Sequence, residues 1–105
     1  MKQIINKKSY DTNRSYKIAA YWNGASTNDF NHLSEALYLT PRGNWFVAGE
    51  GGAMSKYGES CEGGNSRCGG SNIEPLTPED ALNWLEAHDE TEAIEKHFGG
   101  EIKEA

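Results

Sequence analysis

The sequence is poor in several things at once. Hydrophobic residues make up only 36% of the chain and the mean hydropathy is -0.77. No run approaches the roughly 18 consecutive apolar residues that a membrane helix needs, so no membrane span is expected. The opening MKQIINKKSY lacks the apolar stretch of a secretory signal, so export is not expected and a cytoplasmic location is. Cysteine is scarce, with two residues, too few for the disulfide-dense framework of a small secreted domain. Basic residues are outnumbered, Lys+Arg 10 against Asp+Glu 16, for a formal net charge of -6. An acidic chain is a poor general binder of nucleic acid, so no direct nucleic-acid partner is expected.

What is present fits one domain over 1–105, since domains commonly run about 100–150 residues. The lean core must rest on a few bulky anchors: three Trp, five Tyr and three Phe. Trp22, Trp45 and Trp84 fall in separate sections of the chain and are expected to meet in the core. Charge is unevenly spread. Residues 1–73 hold eight basic and six acidic side chains, whereas residues 74–105 hold two basic and ten acidic ones. The C-terminal third is therefore a separate electrostatic object, either a solvated helical surface or an acidic interaction face.

Residues 2–10 read as a short β-hairpin around Asn6-Lys7-Lys8. Over 13–22, Tyr16, Ala19 and Ala20 fall at i, i+3, i+4, and Ile18 and Trp22 at i, i+4, which predicts a short helix closed by Asn23-Gly24. Residues 32–52 carry two strand-like runs joined by Pro41-Arg42-Gly43, a hairpin turn. Leu33, Glu35, Leu37 and Leu39 share one face of the first run, and apolar residues occur on both faces. Residues 49–72, dense in glycine, read as a long irregular segment. Thr77-Pro78-Glu79-Asp80 starts a helix, with Ala81, Leu82, Trp84 and Leu85 inward. A second helix, from Asp89 or Thr91, turns Ala93, Ile94 and Phe98 inward and stops at Gly99-Gly100. The expected fold is α+β: a small antiparallel sheet around the central hairpin, packed by a short N-terminal helix and two C-terminal helices.

Chemistry-bearing patterns are weak. Cys61 and Cys68 have six residues between them, off the usual two-to-four spacing of zinc knuckles. Two reduced thiols are the plain expectation; a disulfide is easy in geometry, and a small zinc-stabilised binding module using Cys61 and Cys68, completed by His88 and His97, is the alternative. Gly49-Glu50-Gly51-Gly52 follows a strand but matches neither the P-loop nor the dinucleotide pattern. Ser55-Lys56-Tyr57 lacks the spacing of a Ser/Lys nucleophile, and His32, His88 and His97 are scattered, so no catalytic residues, no cofactor and no enzyme activity are expected.

Several pieces nevertheless carry a resemblance. They are Tyr10-Asp11-Thr12, Trp22-Asn23-Gly24, Leu37-Tyr38-x-Thr40-x-x-Gly43-Asn44-Trp45-Phe46, Gly49-Glu50-Gly51-Gly52, Ser55-Lys56-Tyr57 and Pro75-Leu76-Thr77-Pro78-Glu79-Asp80-Ala81-x-x-Trp84-Leu85-Glu86. Together they resemble small proteins from phages and mobile elements of gut bacteria, some of which are anti-CRISPR inhibitors. The motifs are structural, so no family catalytic residue carries over. The resemblance implies a non-enzymatic inhibitor in the host bacterial cytoplasm that binds a CRISPR effector protein and blocks nucleic-acid binding or cleavage. The acids expected to face a basic, nucleic-acid-binding surface on that effector are Glu79, Glu86, Asp89, Glu90, Glu92 and Glu95.

Overall fold

The computed structural model describes residues 1–61 and 66–105. Among the described residues the fold is mostly β, not the expected α+β arrangement of one small sheet packed by three helices: eight strands form three antiparallel sheets, followed by two short helices. β1 (Lys2–Ile5) and β2 (Lys8–Asp11) make the expected N-terminal hairpin. Its turn residues Asn6 and Lys7 sit at φ 51° and 66°, the left-handed pair that a two-residue hairpin loop requires. A single 3-10 turn follows at Thr12–Arg14, capped by the Asp11 side chain, which accepts from the Asn13 N–H at 2.9 Å.

The helix expected over 13–22 is not there. Tyr16–Trp22 is strand β3, paired antiparallel with β4 (Leu33–Leu39). The cause is a β-bulge: the register shifts between Lys17 and Ala19, leaving Ile18 as the extra residue. Tyr16 then pairs with Leu39 and Ala19 with Leu37, so residues three apart share a face. A bulged strand thereby imitates the i, i+3 spacing of a helix. Strong strand formers (Tyr16, Ile18, Tyr21, Trp22) and an available partner strand decide the matter.

The main sheet has the order β3-β4-β5-β8, with β5 at Trp45–Gly51 and β8 at Gly70–Leu76. β8 overturns part of the expected irregular segment, since its residues pair in register with β5 from Gly51↔Gly70 to Trp45↔Leu76. Between them lie the short strands β6 (Glu59–Ser60) and β7 (Arg67–Cys68). Gly63 and Gly64 of the glycine-rich stretch fall outside the described residues.

Period-2 alternation on β4 and β5 feeds two cores, one on each face of the sheet. Leu37, Trp45 and Val47 face α1 (Pro78–Ala87) and α2 (Thr91–Phe98), packing with Ala81, Leu85 and Phe98. Phe46 and Ile73 face the N-terminal hairpin and pack with Tyr10. The N-terminal hairpin, not a helix, thus covers this face of the sheet. It also tends the sheet edge: the Gln3 side chain accepts the Ile73 N–H at 3.0 Å.

The three tryptophans do not share one fate. Trp45 is buried and stacks on Phe98 at 5.3 Å. Trp84 is half-buried on α1. Trp22 is 59% exposed, its indole N–H donating to the Ala25 carbonyl. Since Trp22 lies past the covered part of the sheet, Trp22→Ala is expected to leave the melting temperature within a few degrees of the parent, as surface changes usually stay within about 0.5 kcal/mol. Thermal unfolding followed by circular dichroism checks this.

Candidate functional site

α1 begins where the sequence places it. Thr77 Oγ1 accepts the Asp80 N–H at 3.1 Å, and Pro78 occupies the first turn. The chain turns into α2 through Asp89 at φ 54°, with the Glu90 N–H donating to the Leu85 carbonyl at 3.0 Å. Because Ala81, Leu85 and Phe98 point inward, the acids point out. Glu79, Glu86, Asp89, Glu92 and Glu95 are exposed and Glu90 is half-buried. Glu79 and Glu86 lie seven residues apart on one stripe of α1, and Glu92 and Glu95 are neighbours on α2. None of the six is ion-paired among the described residues, whose two ion pairs are His32–Glu50 and Lys56–Glu35. Asp89 carries a backbone role as well, since its left-handed conformation is one that Asp tolerates.

A buried carboxylate is the polar centre of the molecule, and the sequence signalled it only as a lone Glu on an apolar face. Glu35 is 5% exposed and faces the helix side of the sheet. Lys56 Nζ lies 2.7 Å from its Oε2, the Tyr57 hydroxyl donates to the same oxygen, and the Trp84 indole N–H donates to Oε1 at 3.3 Å. Burial pushes the Glu35 carboxyl up, but Lys56, Tyr57 and Trp84 outweigh it and hold it below its ordinary 4.5. Burial first, then the Glu35 hydrogen bond and charge and the more distant Glu74, push the Tyr57 phenol far above its ordinary 10.0. Tyr57 lies over Gly49, where a Cβ would run into its ring. Ser55 Oγ donates to the Gly52 carbonyl at 2.7 Å and accepts the Tyr57 N–H at 3.2 Å. Ser55-Lys56-Tyr57 therefore ties the segment after β5 onto the sheet.

Cys61 and Cys68 form a disulfide, where free thiols were the plain expectation. The β6–β7 pairing is the reason: it opposes Ser60 to Arg67 and, with the Cys61 N–H on the Ser66 carbonyl, sets the two Cα atoms 5.7 Å apart. His88 is held by its own helix and rings, its Nδ1 2.7 Å from the Trp84 carbonyl and its ring 4.3 Å from Tyr21. His97 packs edge-on to Trp45. Among the described residues no group of three or more His, Cys, Asp or Glu is gathered for a metal. The zinc alternative is not carried further. Neither core includes a cysteine. Reducing the disulfide is expected to lower stability by no more than about 2–3 kcal/mol, the entropy of so short a loop, and to leave the fold in place. Melts with and without reductant, with near-ultraviolet circular dichroism, measure both.

His32 is buried at 7% exposure. Its Nδ1 is 3.0 Å from the Ala25 carbonyl, while Nε2 has no hydrogen-bond partner among the described residues and faces Glu50 Oε1 at 3.9 Å.

No family model matches the chain, and no curated protein or solved structure matches it. No helix among the described residues is long and apolar enough to cross a membrane.

Proposed function

We propose that the chain is a non-enzymatic phage counter-defence protein that binds a CRISPR effector in the host bacterial cytoplasm and blocks nucleic-acid binding or cleavage. The observation that carries the reading is the outward, unpaired acid on two consecutive helices, in a C-terminal third with ten acidic and two basic side chains. The motif resemblance supplies the class of partner. An effector's nucleic-acid channel is positively charged, and exposed carboxylates fixed on helices compete for such a surface. Complementary charge acts first on the rate of encounter.

The test is a charge reversal that spares the fold. Glu86, Glu92 and Glu95 are exposed and free of the turn duties of Asp89. Changing all three to Lys is expected to shift stability little, because isolated surface charges contribute about 0–1 kcal/mol. Association with the effector should slow about tenfold or more at low salt, with the deficit shrinking as salt rises. Surface-plasmon kinetics at two salt concentrations, with and without guide RNA, decide it. Equal association rates at both salts would remove the charge mechanism.

A further inference from the structure

A cleft beside the N-terminal hairpin carries the opposite charge. Lys7, Lys8, Arg14 and Arg42 line a single cavity of about 430 Å³. They are four of the ten basic residues of an acidic chain. Three separate segments bring them there. Lys7 stands at the tip of the β1–β2 hairpin, held by its φ of 66°, and Lys8 opens β2. Arg14 ends the 3-10 turn. Arg42 belongs to the β4–β5 turn, closed by the Gly43 N–H on the Thr40 carbonyl at 2.9 Å.

All four side chains are exposed, and none is ion-paired among the described residues. The one carboxylate of the lining, Asp11, accepts the Asn13 N–H at 2.9 Å. Four like charges around one concavity repel one another, so the arrangement favours an anion. The cavity also offers Ser9 and Asn44 as polar partners. Net charge does not forbid this. At physiological salt, charges beyond about 8 Å are largely screened, so the local set governs what enters.

We propose that this cleft binds the phosphate backbone of single-stranded nucleic acid. Cations spread over three segments suit a chain with one charge per link better than one compact dianion. A concavity admits a narrow, flexible strand rather than a duplex. The inference reaches beyond the effector-binding reading and does not need it, because purified protein alone tests it.

The experiment is fluorescence anisotropy of a labelled oligo-dT of about ten nucleotides, titrated with the full chain from low to physiological salt. Saturable binding is expected, with log affinity falling against log salt at a slope of about -2 to -3, from roughly 0.7 per neutralised phosphate. The combined variant Lys7→Ala, Arg14→Ala, Arg42→Ala should bind about tenfold or more weakly at low salt, with a slope nearer -1. Should that variant melt early, the three single variants, each lowering the slope by about 0.7, make the same test. No saturable binding at the lowest salt overturns the proposal. So does a slope that the variants leave unchanged, tighter binding of duplex, or equal binding of poly-glutamate, which would mark the cleft as a site for an acidic protein.

Discussion

Phe46→Ala is expected to destabilise the protein by about 3–5 kcal/mol, as much as Trp45→Ala on the opposite face of the same strand. Phe46 has no exposed surface. Its ring stacks on Tyr38 at 5.2 Å and meets Tyr10 edge-on at 5.5 Å, joining the sheet to the N-terminal hairpin. Removing it leaves a cavity between two layers that are held together by few other apolar residues: Tyr10, Ile73 and, partly buried, Ile5, Tyr38 and Ala48. A short two-stranded hairpin has little stability of its own, so it is expected to lift off. Trp45→Ala empties the core under the helices and costs a similar amount by the same transfer and cavity terms. With domains of this size stable by about 5–15 kcal/mol, either change should lower the melting temperature by roughly 15–30 °C. Chemical denaturation of both variants beside Trp22→Ala is the measurement. A Phe46→Ala protein that melts with the parent would mean that the hairpin adds nothing to the core.

Glu35→Ala is expected to cost about 3 kcal/mol, because hydrogen bonds to charged groups contribute about 1.5–3 kcal/mol and three donors lose their acceptor at once. Two of these donors, the Tyr57 hydroxyl and the Trp84 indole, sit in or beside the core, while Lys56 is half exposed and can turn to water. Glu35→Gln should cost less, since an amide oxygen still accepts one bond. The same cluster sets a pH window. The folded-state pKa of Glu35 lies below its ordinary 4.5, so its stabilisation is complete above that value and is lost as pH falls through the folded value. The folded-state pKa of Tyr57 lies above its ordinary 10.0, so its share is complete below that value and declines as pH rises beyond it. Unfolding free energy should therefore be flat with respect to these two groups between about pH 5 and 9 and fall on either side. In Glu35→Ala the acid limb contributed by this residue should vanish. Urea titrations from pH 3 to 11 check both limbs, and an unchanged acid limb in the variant would place the titration elsewhere.

Local chemistry made part of this protein readable. The first hairpin follows from the polar turn Asn6-Lys7-Lys8, where Asn6 tolerates the left-handed conformation, and the central hairpin from Pro41-Arg42-Gly43 between alternating strands. The start of α1 follows from Thr77-Pro78, and its outward acids follow from the inward Ala81, Leu82 and Leu85. Each of these is decided by neighbours within a few residues, so the residues themselves carry the answer. The outward acid face also needed no contact to be found, because a helix period alone separates it from the core.

What remained was decided between distant segments. Tyr16–Trp22 satisfies a helical period, yet it becomes a strand because β4 offers a ladder and a bulge at Ile18 reconciles the spacing. Gly70–Leu76 looks like a linker until β5 pairs with it along its length. Glu35 is one acid among sixteen in the sequence. Lys56, Tyr57 and Trp84 reach it from two later segments, and only their convergence makes it a buried anchor. The cysteines carry no sign of their pairing until the β6–β7 ladder brings their Cα atoms to 5.7 Å. The basic cleft is likewise hidden in a chain of net charge -6, because Arg42, 28 residues beyond Arg14, joins Lys7, Lys8 and Arg14 only when the β4–β5 turn folds beside the hairpin. Turns and caps are short-range and residue-specific, whereas register, bulges and charge clusters depend on which strand finds which partner, and that is a property of the whole packed chain.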